Sequence, residues 1–335
     1  MSGDVEGLRM SDESSDSGRA CVQFRRAPHG SVTMTDTDHS GPELAKDAGG
    51  HAVIDCGPCG FAHLWPKPTP DALASYYRES FYETHSPADW ADKEEAEEPY
   101  WQIEHRDRLT AFADLLGRPS GSMLDVGCGG AWLLRYAAAS GWQAQGIEPS
   151  RSMWERARHR APVVLGTFPE VDLGGRRFDA VNLKLVTEHV SDPALLLREV
   201  RRVLTPGGVV CIEVPNDFNR LQAAVRDRYD KAAWWVSYPA HLNYFTFDSL
   251  ERLLSRVGLQ PVRRDATYPM EWFLLQGVDY IGRDEVGRQC HQQRMLLESN
   301  LEAAGLSALR RDFGRWLASN GIGRTAIVFA RNPSR

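Results

Sequence analysis

Short apolar runs alternate with longer segments in which apolar residues return every three or four positions. The alternation extends from about residue 122 to the end of the chain. Residues 124–126 form a brief apolar run with Asp125 inside it, 132–139 carry a helical stripe, and a second short run closes at Glu148. Gly127-Cys128-Gly129-Gly130 stands between the first run and the stripe, so the stretch reads as strand, glycine turn, helix, strand: one parallel βαβ unit. The pattern continues with a helix over 150–159, strands at 162–165 and 178–183, a helix over 195–204 ended by Thr205-Pro206-Gly207-Gly208, and a strand at 209–214. A helix over 249–257, capped by Thr246 or Asp248, precedes two further strands at 259–267 and 324–330. Alternation at these lengths predicts an α/β, doubly wound, mostly parallel sheet. Ligands in such sheets bind at the carboxyl ends of the strands, where strand order switches. That places Gly127, Glu148, Lys184 and Pro215 on one rim.

The flanks differ. Residues 1–50 are rich in Ser, Gly, Asp and Thr without apolar periodicity and read as a disordered leader. Residues 51–99 form a segment expected to pack on the core, with an aromatic run at Tyr76, Tyr77, Phe81 and Tyr82 and an acidic patch at 89–98 that reads as a solvated linker. Apolar spacing over 100–116 predicts a helix ahead of the first strand. Residues 268–323 are a long, largely helical insertion between the last two strands, fit to cap a pocket or to form a homodimer face.

Composition narrows the classes. Hydrophobic content of 42% and charged content of 25% over 335 residues suit an ordinary globular protein with room for a sizeable core. A formal net charge of −6 argues against general binding to nucleic acid or an anionic membrane. No apolar run approaches the ~20 residues that span a bilayer, and no signal-peptide core is visible. Six sparse cysteines point to a reducing, cytoplasmic setting without a disulfide framework.

The glycine turn is the first candidate for chemistry, since glycines let a ligand approach the backbone and a strand-ending acid accepts hydrogen bonds from ribose hydroxyls. A dinucleotide fingerprint needs a third glycine where this chain has Trp132. Asp125, two residues before the first glycine, suits a ligand carrying a cationic amino group. D-x-G-x-G followed by Glu148 resembles the class I S-adenosylmethionine (SAM) methyltransferases. The pattern FDAVNLKLVTEHVSDP…EVRRVLTPGGVVCIEVPN is similar to members acting on quinone precursors, sugars and secondary metabolites. The resemblance covers about 123–215. It implies a Rossmann-like seven-stranded sheet with helices on both faces and an antiparallel last pair, in a methyltransferase domain over 100–335. It also implies Asp125, Gly127 and Gly129 near the methionine portion of SAM and Glu148 on the ribose. Thr167 and Phe168 fall around the adenine, Lys184 lies on the cofactor rim, and Tyr100 and Trp101 either line the pocket or belong to the core. The N/D-P-P-Y motif of amino-directed nucleic-acid methyltransferases is missing; Asn182-Leu183-Lys184-Leu185 stands there.

The acceptor is expected to be a small molecule such as a sugar, nucleotide-sugar or secondary metabolite, methylated on carbon or oxygen. The loop Trp234-Trp235-Val236-Ser237-Tyr238-Pro239-Ala240-His241-Leu242-Asn243-Tyr244 concentrates aromatic and polar groups beyond the fifth strand. His241 is the candidate base, with Tyr238 and Tyr244 as orienting partners; some sugar C-methyltransferases place a His and a Tyr in a comparable loop. His189 reads as shaping the pocket, and Glu271 and Arg294 as charged residues within reach of substrate. Cys56-Gly57-Pro58-Cys59 is a tight C-x-x-C with His51 and His63 nearby, and residues 56–82 resemble the leader of sugar C-methyltransferases, which carry a fuller zinc knuckle. A structural zinc on Cys56 and Cys59 therefore stands beside a plain turn with two reduced thiols. Two other functions stay open: a non-catalytic SAM-fold scaffold, and an NAD-dependent oxidoreductase, which Trp132 and Asp125 oppose.

Overall fold

The computed structural model describes residues 39–47, 49–69, 73 and 87–334. The aromatic run at Tyr76, Tyr77, Phe81 and Tyr82 and most of the leader lie outside them. Among the described residues there are two sheets. The smaller joins β1 (Glu43–Lys46), β2 (Ala52–Cys56), β3 (Phe61–Trp65) and β9 (Asn243–Tyr244) in that order, each pair antiparallel. β1 falls inside the stretch that reads as leader. Its order comes from pairing with β2 (Lys46 opposite Ala52, Ala45 opposite Val53), a partner that its own pattern does not reveal.

The larger sheet has seven strands. β4 (Ser122–Val126), β5 (Gln143–Glu148), β6 (Val163–Leu165), β7 (Phe178–Lys184) and β8 (Leu204–Pro215) are parallel. β11 (Thr325–Arg331) runs antiparallel between β8 and β10 (Gln260–Ala266), giving the order β10-β11-β8-β7-β4-β5-β6. Strand order switches between β4 and β7. β8 starts earlier than its apolar pattern predicts, at Leu204, which stands opposite Phe178; residues 205–208 bulge out, with Gly207 at φ +78°, before pairing resumes with Val209 opposite Ala180.

Two-residue alternation sends successive side chains to opposite faces. Met123, Ala180, Val209, Cys211 and Phe329 meet Leu109 and Phe112 of α1 (Pro87–Leu116) and Leu133 and Ala137 of α2 (Trp132–Ala139). Their neighbours Leu124, Val181, Val210, Ile212 and Val328 pack on Leu196, Leu197 and Val200 of α4 (Pro193–Val203) and Leu250, Leu253 and Leu254 of α6 (Phe247–Arg256). The short helix α3 (Arg151–Ala157) adds Ala157 to a small cluster with Ala131 and Leu134. α5 (Arg220–Tyr229) follows β8 and carries a capping box formed by Asn219 and Gln222. Thr246, not Asp248, caps α6, accepting from the Ser249 amide at 3.2 Å.

α1 corrects the sequence reading at its start. Residues 89–98 are not a linker but the first half of one 30-residue helix containing Pro99. The acids there work at helical spacing: Glu97 accepts from the Trp101 indole at 3.2 Å and Glu98 from Gln102 at 2.6 Å, spanning the turn that the proline weakens.

The insertion forms α7 (Glu271–Leu275), α8 (Asp284–Ala303) and α9 (Ser307–Ser319). Arg294 donates to the Tyr100 hydroxyl at 2.8 Å, Arg106 meets Glu302 at 2.5 Å, and Arg310 bridges Asp107 and Glu302, so α8 and α9 grip α1 from outside. Leu296, Leu309 and Trp316 remain exposed. No helix among the described residues is long and apolar enough to cross a membrane.

Beneath α1, Arg108 enters the sheet. Its guanidinium donates to Asn182 Oδ1 at 2.8 Å and to Glu213, Asn182 donates to Asp125 at 2.6 Å, and the Thr325 hydroxyl donates to Glu213 at 3.2 Å. Arg108 and Glu213 are 7% and 2% exposed, so removing one partner strands the other's charge in low dielectric. Arg108→Met should cost about 3–5 kcal/mol in urea unfolding, and adding Glu213→Gln should recover part of it. A single variant as stable as the parent would remove this network from the stability of the fold.

Candidate active site

The rim at the carboxyl ends of β4 to β8 has two halves. On the first, β4 runs into the glycine turn. Gly127 has φ +70°, and an added Cβ would sit 2.8 Å from a methyl of Val186, so both conformation and space demand glycine. Gly127 and Cys128 donate to the Ile147 carbonyl at 2.8 and 3.1 Å, tying the turn to β5. Gly129 (φ +52°) points its amide at Glu148, whose carboxylate accepts at 2.8 Å from Gly129 and at 2.8 Å from the Ser150 amide. Burial raises Glu148 above the usual carboxylate range, opposed by those two amides. Each of its oxygens keeps a lone pair for a ligand hydroxyl.

Asp125 is 4% exposed and held against Asn182, and burial pushes its pKa up to about 6. Lys184 forms an ion pair with Glu104 at 2.8 Å and lies 4.2 Å over the Trp101 ring. Phe168 is buried with Leu173 just beyond the end of β6, and Thr167 begins the turn there through its carbonyl. Tyr100, buried and bonded to Arg294, belongs to the α1–α8 contact, whereas Trp101 is half-buried beside Lys184. His105, also on α1, is shielded, has no partner for Nε2 among the described residues, and is held neutral by burial with a pKa near 3.

The second half is built over β7, β8 and β10. The loop after β7 and the loop before β9 are laced together: Leu242 and Asn243 donate their amides to the Glu188 carbonyl at 2.8 and 3.0 Å, and the Asn243 side chain donates to the carbonyls of Thr187 and Val190. His189 Nδ1 donates to the Ala240 carbonyl at 2.7 Å, which fixes the tautomer and leaves Nε2 facing the Glu188 carboxylate at 3.8 Å. The His189 and His241 rings meet edge to face at 5.1 Å. His241 Nδ1 is shielded and unpaired among the described residues, and burial lowers its pKa to about 4, so the ring is a neutral base at physiological pH.

Tyr244 is buried 6.3 Å from His241 ring to ring, and its hydroxyl accepts from the Ser237 amide. Tyr238 goes elsewhere. It is 36% exposed and stacks on His51 at 3.4 Å, so the structure brings Tyr244 to His241 but not Tyr238.

Three further carboxyls join this half. Neither oxygen of Glu188 has a hydrogen-bond partner among the described residues, nor do Asp217 Oδ2 and Glu271 Oε2. Asp217 follows β8 and Glu271 follows β10, and both reach Gln222. Burial lifts all three, Asp217 to about 8, and a neighbouring carboxyl adds to the shift at Glu188 and Asp217. Asp217 and Glu188 escaped the sequence reading because no local motif marks an acid as partnerless.

Away from the rim, Cys56, Cys59, His63 and His39 converge: His39 Nδ1 is 3.0 Å from His63 Nε2 and 3.7 and 3.4 Å from the two sulfurs. His51, the other nearby imidazole, pairs with Asp47 at 2.9 Å instead. Burial beside the Cys56 sulfur pushes the Cys59 thiol up to about 12, so a Cys59 thiolate needs a cation here.

Comparison with known proteins agrees with this geometry. A methyltransferase domain family matches residues 100–264. A ubiquinone biosynthesis O-methyltransferase of Cereibacter sphaeroides is 30% identical over 164 residues, covering 45% of this chain and 65% of the relative. An uncharacterized 37.1 kDa protein in transposon Tn4556 of Streptomyces fradiae is 38% identical over 108 residues, 30% of this chain and 31% of the relative. The matched stretches thus span less than two thirds of these relatives' own lengths. Among solved structures, the plantazolicin methyltransferase BpumL superposes with TM-score 0.48 at 12% identity, covering 78% of this chain and 93% of that one. With the glycine turn facing Glu148 at the switch point of a seven-stranded sheet, and the domain match laid over it, residues 100–264 form a class I SAM-dependent methyltransferase domain.

Proposed function

We propose that this protein transfers a methyl group from SAM to a small polar acceptor, with His241 as the base. The observation that carries the reading is the two-part rim, a glycine turn locked to Glu148 beside a shielded, neutral His241. Methyl transfer from a sulfonium is an in-line displacement, so the protein chiefly aligns donor and acceptor and removes a proton from the acceptor. Glu148 serves the ribose, and the turn at Gly127 and Gly129 gives the donor a close approach. Asp125, Thr167, Phe168 and Lys184 complete the proposed cofactor contacts, Lys184 after exchanging Glu104 for the ligand. Tyr244 orients the acceptor side, with His189 as its neighbour.

The unmatched oxygens of Glu188, Asp217 and Glu271 favour an acceptor rich in hydroxyl or amino groups, such as a sugar or a polar secondary metabolite, over a bare hydrocarbon. O-methylation is the activity named for the Cereibacter relative, and an acceptor hydroxyl gives His241 a proton to remove. We further propose one structural zinc on the Cys56–Cys59 knuckle, and a cytoplasmic enzyme, acting without nucleic acid or membrane.

Calorimetry with S-adenosylhomocysteine tests the donor side. Saturable binding is expected, with NAD silent, and Glu148→Ala should weaken it by about ten- to a hundredfold, the worth of one or two hydrogen bonds to a charged group. Binding untouched by that change would dismiss Glu148 from the site. His241→Ala should lower turnover by about 10²–10⁴-fold while S-adenosylhomocysteine binds as before; unchanged turnover would take His241 out of the mechanism. Because burial holds His241 below its unfolded pKa of ~6.5, the base stays deprotonated as pH falls through that value. The acid limb of kcat/KM should therefore lie near pH 4 and not near 6.5, and a limb centred at 6.5 would point to an ordinary, solvated imidazole.

A further inference from the structure

We infer that His39, Cys56, Cys59 and His63 together bind one zinc ion, and that this ion positions the acceptor loop that carries His241. The inference deepens the methyltransferase reading and names what holds its acceptor side. Tetrahedral zinc with bonds of ~2.3 Å to sulfur and ~2.0–2.1 Å to nitrogen sets its donors roughly 3.3–3.8 Å apart. The nitrogen–sulfur separations of 3.7 and 3.4 Å fall in that range, and the nitrogen pair at 3.0 Å is slightly short of it. His63 is already oriented as a ligand, since Nδ1 donates to the Leu64 carbonyl at 2.7 Å and Nε2 is left facing the other donors. Cys56, Cys59 and His63 are buried, and two imidazoles stand where a fuller knuckle would supply two more thiols. Four protein donors close the coordination shell, the arrangement of a structural ion.

The link to the acceptor side is covalent geometry and backbone pairing. His63 and Ala62 lie on β3, opposite Asn243 and Tyr244 of β9. Leu64 donates to the Leu242 carbonyl at 2.9 Å, one residue from His241. From the far side of the same segment, Arg252 and Arg256 of α6 donate to the carbonyls of Gly60, Pro58 and Cys59, closing the knuckle from behind. Phe61 meets Phe245 at 5.1 Å. Residues 241–256 are therefore held at both ends by the C-x-x-C segment, and the cation fixes that segment's shape.

The test uses the full chain. Metal analysis of protein purified without added metal should give close to one zinc per chain, and His39→Ala should lower that content while His39→Cys retains it. After chelation under reducing conditions, hydrogen exchange at 242–245 should speed by at least tenfold, while S-adenosylhomocysteine affinity stays within about twofold. A folded, metal-free protein with two reduced thiols, or with a Cys56–Cys59 disulfide, would overturn the zinc assignment. Zinc present but exchange at 242–245 unchanged on its removal would overturn the positioning role. Cofactor binding is read separately in each sample, so failure of the methyltransferase reading appears as silence there and does not affect the metal count.

Discussion

Arg108 is the point on which the first half of the rim depends. One guanidinium, buried under α1, is matched by Glu213 on β8 and Asn182 on β7, and through Asn182 it reaches Asp125 on β4. A cation in that position is tolerable only if every donor finds an acceptor, which fixes the height and angle of α1 over the strand ends. The helix then places Trp101 and Glu104 against Lys184 at the end of β7. The ion pairs from α8 and α9 hold the outer side of the same helix, so the insertion stabilises the cofactor cap by an indirect route.

The two halves of the rim use electrostatics differently. In the first half, backbone amides meet Glu148 and the Asn182 side-chain amide meets Asp125, so both carboxyls have donors within the protein. On the acceptor side, Glu188, Asp217 and Glu271 are shielded and short of donors, and their protonated forms are favoured. His241 lies close to Glu188, and as that carboxyl resists ionising, no strong fixed anion offsets the burial that keeps the ring neutral.

What the chain revealed in advance follows the reach of its local patterns. The glycine turn, Glu148 and the succession of strands and helices along the chain were legible because each is written within about twenty consecutive residues. Arg108 was not, since its partners lie 74 and 105 positions away and an arginine on an amphipathic helix looks like a solvated one. His39 was missed for the same reason: it sits in a stretch without apolar periodicity, and only the β1–β2–β3 pairing carries it to Cys56 and His63. The acidic start of α1 was misread because charge density suggests solvent, whereas side chains four apart supply helix contacts. Tyr238 shows the opposite limit of local reading. Nearness in sequence to His241 suggested a shared role, and the ring turned to His51 instead.

β9 is two residues long, yet it makes the acceptor loop a strand of the small sheet and not of the large one. The glycine turn and Glu148 belong to one scaffold, and His241 with Tyr244 to another. The two meet at the lacing of residues 187–190 to 242–243. The second half of the rim thus draws side chains from both sheets, since Glu188 and Asp217 follow β7 and β8 while His241 and Tyr244 stand at β9. The knuckle and this loop lie about 180 residues apart in the chain, so a change in either is passed to the other through the pairing of β3 with β9.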